Sequence, residues 1–83
     1  MRVRRPFRPS DRQREILRFV HRFINEHRFC PALREIVEGT SYTSTSVVHH
    51  NLATLKREGY VDYVPGKIRT VHVLQEDGDA AAN

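Results

Sequence analysis

Apolar positions recur along this chain first at helical and then at alternating spacing. Ile16, Leu17, Val20, Phe23 and Ile24 repeat at a helical interval, which predicts a first helix over Asp11–His27. Ser10 and Gln13 fit a capping box ahead of it, and Asp11 suits the positive helix end. Arg28-Phe29-Cys30-Pro31 is a break, because proline disfavours helix at the residue before it and suits the first turn of the next. Leu33, Ile36 and Val37 then mark one side of a short second helix over residues 32–38, ended by Gly39. Residues 40–43 read as a turn. A third helix follows to Arg57, with Ser44 as a cap whose hydroxyl can accept from the amide of Ser46 or Val47. At about 100° per residue, Val48, Leu52 and Leu55 stack on its inner face. Gly59 is placed to cap its end. Beyond it the period changes. Residues 60–64 are a strand by residue type, residues 65–68 a turn, and residues 69–74 a second strand in which Val71 and Val73 alternate with Thr70 and His72.

Three helices and a hairpin, with a short helix, a tight turn and a polar-faced helix in the middle, make a mostly α winged helix-turn-helix. Lys67 and Arg69 fall at or beside the wing tip. Residues 10–74 form the domain. Residues 1–9, with four arginines and two prolines, read as an extended arm that either tracks phosphates or a minor groove or has no role. Residues 75–83 read as an acidic, Ala-rich tail or linker.

The outer face of the third helix carries the candidate chemistry. Ser46, His50, Ala53 and Arg57 lie there with Val47 and His49 flanking, and hydroxyls lead in from Thr43 through Ser44 and Thr45. A helix face needing only solubility would carry Glu and Lys; residues 43–57 hold no acid. Small groups allow close approach, hydroxyls and imidazoles donate to phosphates and base edges, and valine can meet a thymine methyl. This pattern is that of a helix reading double-stranded DNA.

Charge strengthens that reading. The 83 residues carry a formal net charge of +4, but residues 1–74 hold 14 basic and 7 acidic side chains, a net of +7. A basic body suits a polyanion. Cys30 is the only cysteine, which excludes an internal disulfide and gives no zinc-finger spacing. Neighbouring His49 and His50 point about 100° apart on a helix and cannot chelate one ion, so no metal or other cofactor is expected. No nucleophile is paired with a base, so no enzyme is expected. There is no apolar run long enough for a membrane span and no signal peptide.

The segments Ser-Asp-Arg-Gln-Arg-Glu-Ile-Leu (10–17), Pro-Ala-Leu-Arg-Glu-Ile (31–36), Thr-Ser-Thr-Ser-Val-Val-His-His-Asn-Leu (43–52) and Leu-Lys-Arg-Glu-Gly-Tyr-Val (55–61) resemble the amino-terminal DNA-binding domain of the LexA repressor family. The likeness runs over about residues 8–74. It implies a bacterial, cytoplasmic repressor of the DNA-damage (SOS) response, associated with the nucleoid when bound. It implies base reading by Ser44, Ser46, Val47, His49 and His50, and phosphate contacts from Arg12, Lys67 and Arg69. Helix-turn-helix half-sites about one helical turn apart would bring two copies together on a palindromic operator, while every placed apolar residue is used inside the one domain, so the free chain is expected to be monomeric or weakly paired. Three departures stand out. His49 and His50 occupy positions where some members carry glutamates that read cytosine, so the operator does not carry over. Thr40-Ser41 replaces the apolar-Gly ending usual for the second helix. The family's self-cleaving, dimerising peptidase domain has no counterpart in these residues, which fits an excised domain or a stand-alone regulator of phage or plasmid type. The contrasting reading is a winged-helix protein-interaction module, for which the third helix and wing would be neutral and apolar rather than positive.

Overall fold

A computed structural model of the protein describes residues 7–75. Three helices are followed by a two-stranded antiparallel sheet: α1 Asp11–His27, α2 Leu33–Gly39, α3 Thr45–Arg57, β1 Val61–Asp62 and β2 His72–Val73. The expected winged helix-turn-helix is the observed fold.

The helices begin where their caps dictate. The Ser10 hydroxyl accepts from Gln13 N–H at 3.1 Å and the Gln13 side chain accepts from Ser10 N–H at 3.0 Å, closing both halves of the box. α1 ends at Arg28, which takes a left-handed conformation (φ 67°) and donates its amide to Ile24 O. At α2 only half a box exists. The Ala32 amide donates to Glu35 Oε1 at 2.9 Å, while alanine offers no acceptor in return. α3 starts one residue after Ser44, whose hydroxyl accepts from Ser46 N–H at 3.1 Å. It ends in paired bonds from Gly59 N–H to Lys56 O and Tyr60 N–H to Leu55 O, with Gly59 at φ 86°, the geometry of a Schellman cap.

Gly39 differs from its expected role. It is the last residue of α2 rather than a left-handed stop, and the reason for glycine is packing. A Cβ there would lie 2.1 Å from the Phe19 ring of α1. The two helices meet at that contact.

The core joins all the elements: Ile16, Leu17 and Val20 of α1, Ile36 of α2, Val48, Leu52 and Leu55 of α3, and Val61 and Val71 of the hairpin are buried. Tyr42, expected only in a turn, is buried with them. β2 lies against α1, and β1 against α3. The arm is partly docked: Pro9 is fully buried and Phe7 packs against Tyr60 at 5.7 Å between ring centroids. Residues 1–6 and 76–83 of the expected arm and tail lie outside the described residues.

The wing departs most from expectation. Its ladder is two residue pairs, Val61↔Val73 and Asp62↔His72, in place of strands over residues 60–64 and 69–74. Tyr60 is drawn into the α3 cap. Val64 gives its amide to the Thr70 hydroxyl at 2.9 Å instead of to a facing strand. Arg69 is left-handed (φ 62°), a conformation that interrupts an extended run. Lys67 N–H closes on Val64 O at 3.0 Å around Pro65-Gly66, with Gly66 at φ 80°, as a type II turn requires.

Candidate nucleic-acid interface

The two elements that would meet a duplex are α3 and the wing, and α3 is held from both sides. At its start, the turn from α2 is pinned to α1. The Ser41 amide and hydroxyl both donate to the Glu15 carboxylate at 2.7 Å, so those bonds hold the Glu15 carboxyl below its usual pKa. This carboxylate fixes the chain between α2 and α3. Thr40 contributes by donating its hydroxyl to Ile36 O and accepting from Tyr42 N–H. Asn51, in the middle of α3, accepts from the Gln13 side chain at 2.9 Å and donates to Val47 O at 2.9 Å. Gln13, which closes the capping box of α1, therefore also orients α3.

At the far end of α3, Lys56 Nζ donates to Tyr63 O at 2.6 Å and pairs with Asp62 at 3.0 Å. The Lys56 bond, followed by the Tyr63 amide, holds Asp62 below its usual pKa. The same ammonium lies 4.7 Å from the Tyr63 ring centroid. This strut ties the base of the wing to α3. Glu15, Tyr42, Asn51, Lys56 and Asp62 were not singled out in the sequence. Their partners lie on other elements, and nothing local marks them.

With its inner face in the core, α3 turns Thr45, Ser46, Val47, His49, His50 and Ala53 to solvent. Val47 keeps 47 % of its surface exposed. The Thr54 hydroxyl is used internally, donating to His50 O at 3.3 Å. Ser44 is half-buried and its acceptor is spent on the cap. His49 leans on Tyr63, with ring centroids 6.3 Å apart. Arg57, at the end of the face, is exposed beside Glu58.

The expected phosphate residues separate into two kinds. Arg12 is exposed, its guanidinium 4.3 Å from the Tyr42 ring centroid, which holds a cation beside the turn that leads into α3. Lys67 is exposed in the wing turn. Arg69 is exposed too, but it is paired. Its guanidinium pairs with both oxygens of Glu35, at 2.8 and 3.2 Å, and donates to Cys30 O at 3.3 Å.

Among the described residues no group of three His, Cys, Asp or Glu side chains could hold a metal ion, and no helix is long and apolar enough to cross a membrane. What the face offers is exposed small, hydroxyl and imidazole groups framed by cations.

Comparison with known proteins gives one consistent match. Residues 9–70 match the family described as LexA DNA binding domain. The LexA repressor of Caldicellulosiruptor saccharolyticus is 41 % identical over 68 residues, covering 82 % of this chain and 34 % of the relative. That of Carboxydothermus hydrogenoformans is 34 % identical over 67 residues, covering 81 % and 33 %. That of Mycolicibacterium smegmatis is 40 % identical over 73 residues, covering 88 % and 30 %. The chain thus spans about a third of the length of the curated relatives it matches.

Proposed function

The chain belongs to the LexA DNA-binding-domain family, and on that premise we propose that it is the operator-reading unit of a LexA-type transcriptional repressor of the DNA-damage response. The observation that carries the reading is the exposed, acid-free face of α3, positioned by a buried inner face, with exposed Arg12 beside the turn that leads into it and exposed Lys67 in the wing. In the proposed complex α3 enters the major groove of double-stranded DNA, with Ser46, Val47 and His50 nearest the base edges and Thr45, His49 and Ala53 along the walls. Arg12 and Lys67 neutralise phosphates. Occupancy of the operator excludes the transcription machinery. Two copies bind a palindrome, each reading a half-site, since half-site spacing of about one helical turn brings them side by side.

Cation placement favours this over a protein-interaction module, whose contact face would be neutral and apolar. Selection of duplexes from a random pool tests it: the chain should enrich a palindromic sequence. Retention of all duplexes alike, or of none, would overturn sequence-specific repression as the function.

A further inference from the structure

The wing is the least self-sufficient element of the fold. Two ladder pairs close it, and the residues between them are joined by local bonds: Lys67 N–H to Val64 O, Val64 N–H to the Thr70 hydroxyl, and the Thr70 hydroxyl to Lys67 O. So short a hairpin has marginal stability of its own and needs packing against the body. Lys56 anchors its base. The second anchor comes from near the tip. Arg69 sends its guanidinium to the first turn of α2, where it is paired bidentately with Glu35 at 2.8 and 3.2 Å, bonded to Cys30 O at 3.3 Å and set 5.0 Å from the Phe29 ring centroid. Glu35 is itself fixed, because its Oε1 also accepts the Ala32 amide. The left-handed backbone at Arg69 is uncommon for a residue with a side chain; such conformations persist where the surroundings determine them.

Three of the five guanidinium N–H groups are taken by Glu35 and Cys30 in this fork geometry, and the Glu35 carboxylate offsets the charge that a phosphate would meet. We propose that Arg69 is a positioning residue: through Glu35 it sets the wing, with Lys67 in its turn, against the helix-turn-helix, and it makes no phosphate contact of its own. The proposal rests on the DNA-reading function above and assigns Arg69 a part different from the one the family resemblance implies.

The two roles give opposite signs for one substitution. Glu35→Gln keeps an acceptor for the Ala32 amide and removes the charge facing Arg69. If Arg69 met a phosphate, freeing it would tighten binding. If Arg69 positions the wing, freeing it weakens binding. On the selected duplex, Glu35→Gln and Arg69→Gln are each expected to raise Kd by up to about fivefold, since an ion pair this exposed holds its partners no more strongly. The double variant should be no weaker than the worse single one, because both changes break the same tie. The log–log salt slope should stay at the unaltered value in both, while Lys67→Ala lowers it by about one. Hydrogen exchange in the free protein gives a readout independent of DNA: the wing amides of Val64 and Lys67 should exchange faster in both variants, with the helix amides unchanged. Tighter binding by Glu35→Gln, a slope lower by about one in Arg69→Gln, or unchanged wing exchange would overturn the proposal. If the unaltered chain bound no duplex, the DNA reading would fall, and wing exchange would still decide whether Arg69 holds the wing.

Discussion

On the proposed reading, Val47 meets a base edge from the outer face of α3. It leaves 47 % of its surface exposed, and a β-branched residue there gives up helix propensity without burying itself. Its neighbour Val48 is fully buried, so the core gains nothing from a second valine. A compact apolar group amid hydroxyls and imidazoles suits a thymine methyl. Val47→Ala should therefore relax the base preference at one position per half-site by about 1 kcal/mol, the low end of what a base contact discriminates. Binding to random duplex and thermal stability should scarcely change, as for most exposed substitutions. Titrations on the selected duplex, on single-base variants and on random sequence would show it; equal losses on all three would remove Val47 from the reading set.

At the scale of the element, α3 depends on its first turn, where Thr45, Ser46 and Val47 sit. Ser44 holds that turn by accepting the Ser46 amide. Ser44→Ala leaves the amide unsatisfied at a cost of about 1 kcal/mol, which for a domain this small lowers Tm by about 4–8 °C. Specific binding should fall more than non-specific binding, since the turn that frays carries the proposed base readers. A melt combined with titrations on the selected and random duplexes checks both. The same cap explains why the helices were legible in the sequence. Ser10 with Gln13, Ser44 with Ser46, and Gly59 after Arg57 act over two to five residues, so spacing alone gives the boundaries. The wing was less legible because its geometry comes from afar. Tyr60 is recruited by the α3 cap, and Arg69 is turned left-handed and tied to Glu35, 34 positions earlier. Its chemistry as a cation near the wing tip was visible; its occupation by a carboxylate on α2 was not. Tyr42 looked like part of a turn because burial of its ring depends on α1 lying beneath it.

Across the whole molecule, three carboxylates tie one element to another, two of them across more than 25 residues of sequence. Glu15 holds the turn before α3, Glu35 holds the wing to α2, and Asp62 holds the wing base to α3; each is below its usual pKa, through Ser41, Arg69 and Lys56 respectively. A carboxylate whose pKa is lower folded than unfolded stabilises the fold fully above the unfolded value, about 4, and loses that contribution as pH falls through the folded value. Thermal stability should owe nothing to these ties as a variable between pH 6 and pH 8 and should decline below about pH 4, less steeply in Glu35→Gln, which has one tie fewer to lose. Melts across that range measure it, and an equally steep decline in the variant would remove Glu35 from the cause. The molecular surface also bears on how copies assemble. The large exposed apolar residues among those described are Phe29, Val47, Val64, Ile68 and Leu74. Val47 lies on the outer face of α3 and Val64 and Ile68 on the wing, which leaves no broad apolar face among the described residues for the roughly 1,000 Å² that a specific interface needs. The 83-residue chain should therefore sediment as a monomer at micromolar concentration. On DNA its two copies would then gain from a palindrome only through what joins them. A flexibly linked pair should bind two half-sites about 100-fold or more tighter than the unlinked chain, by effective concentration alone, and should show no such gain on one half-site. A stable dimer without DNA would mean that these residues carry their own pairing surface. A linked pair with no advantage on the palindrome would mean that the two reading helices cannot engage both half-sites at once.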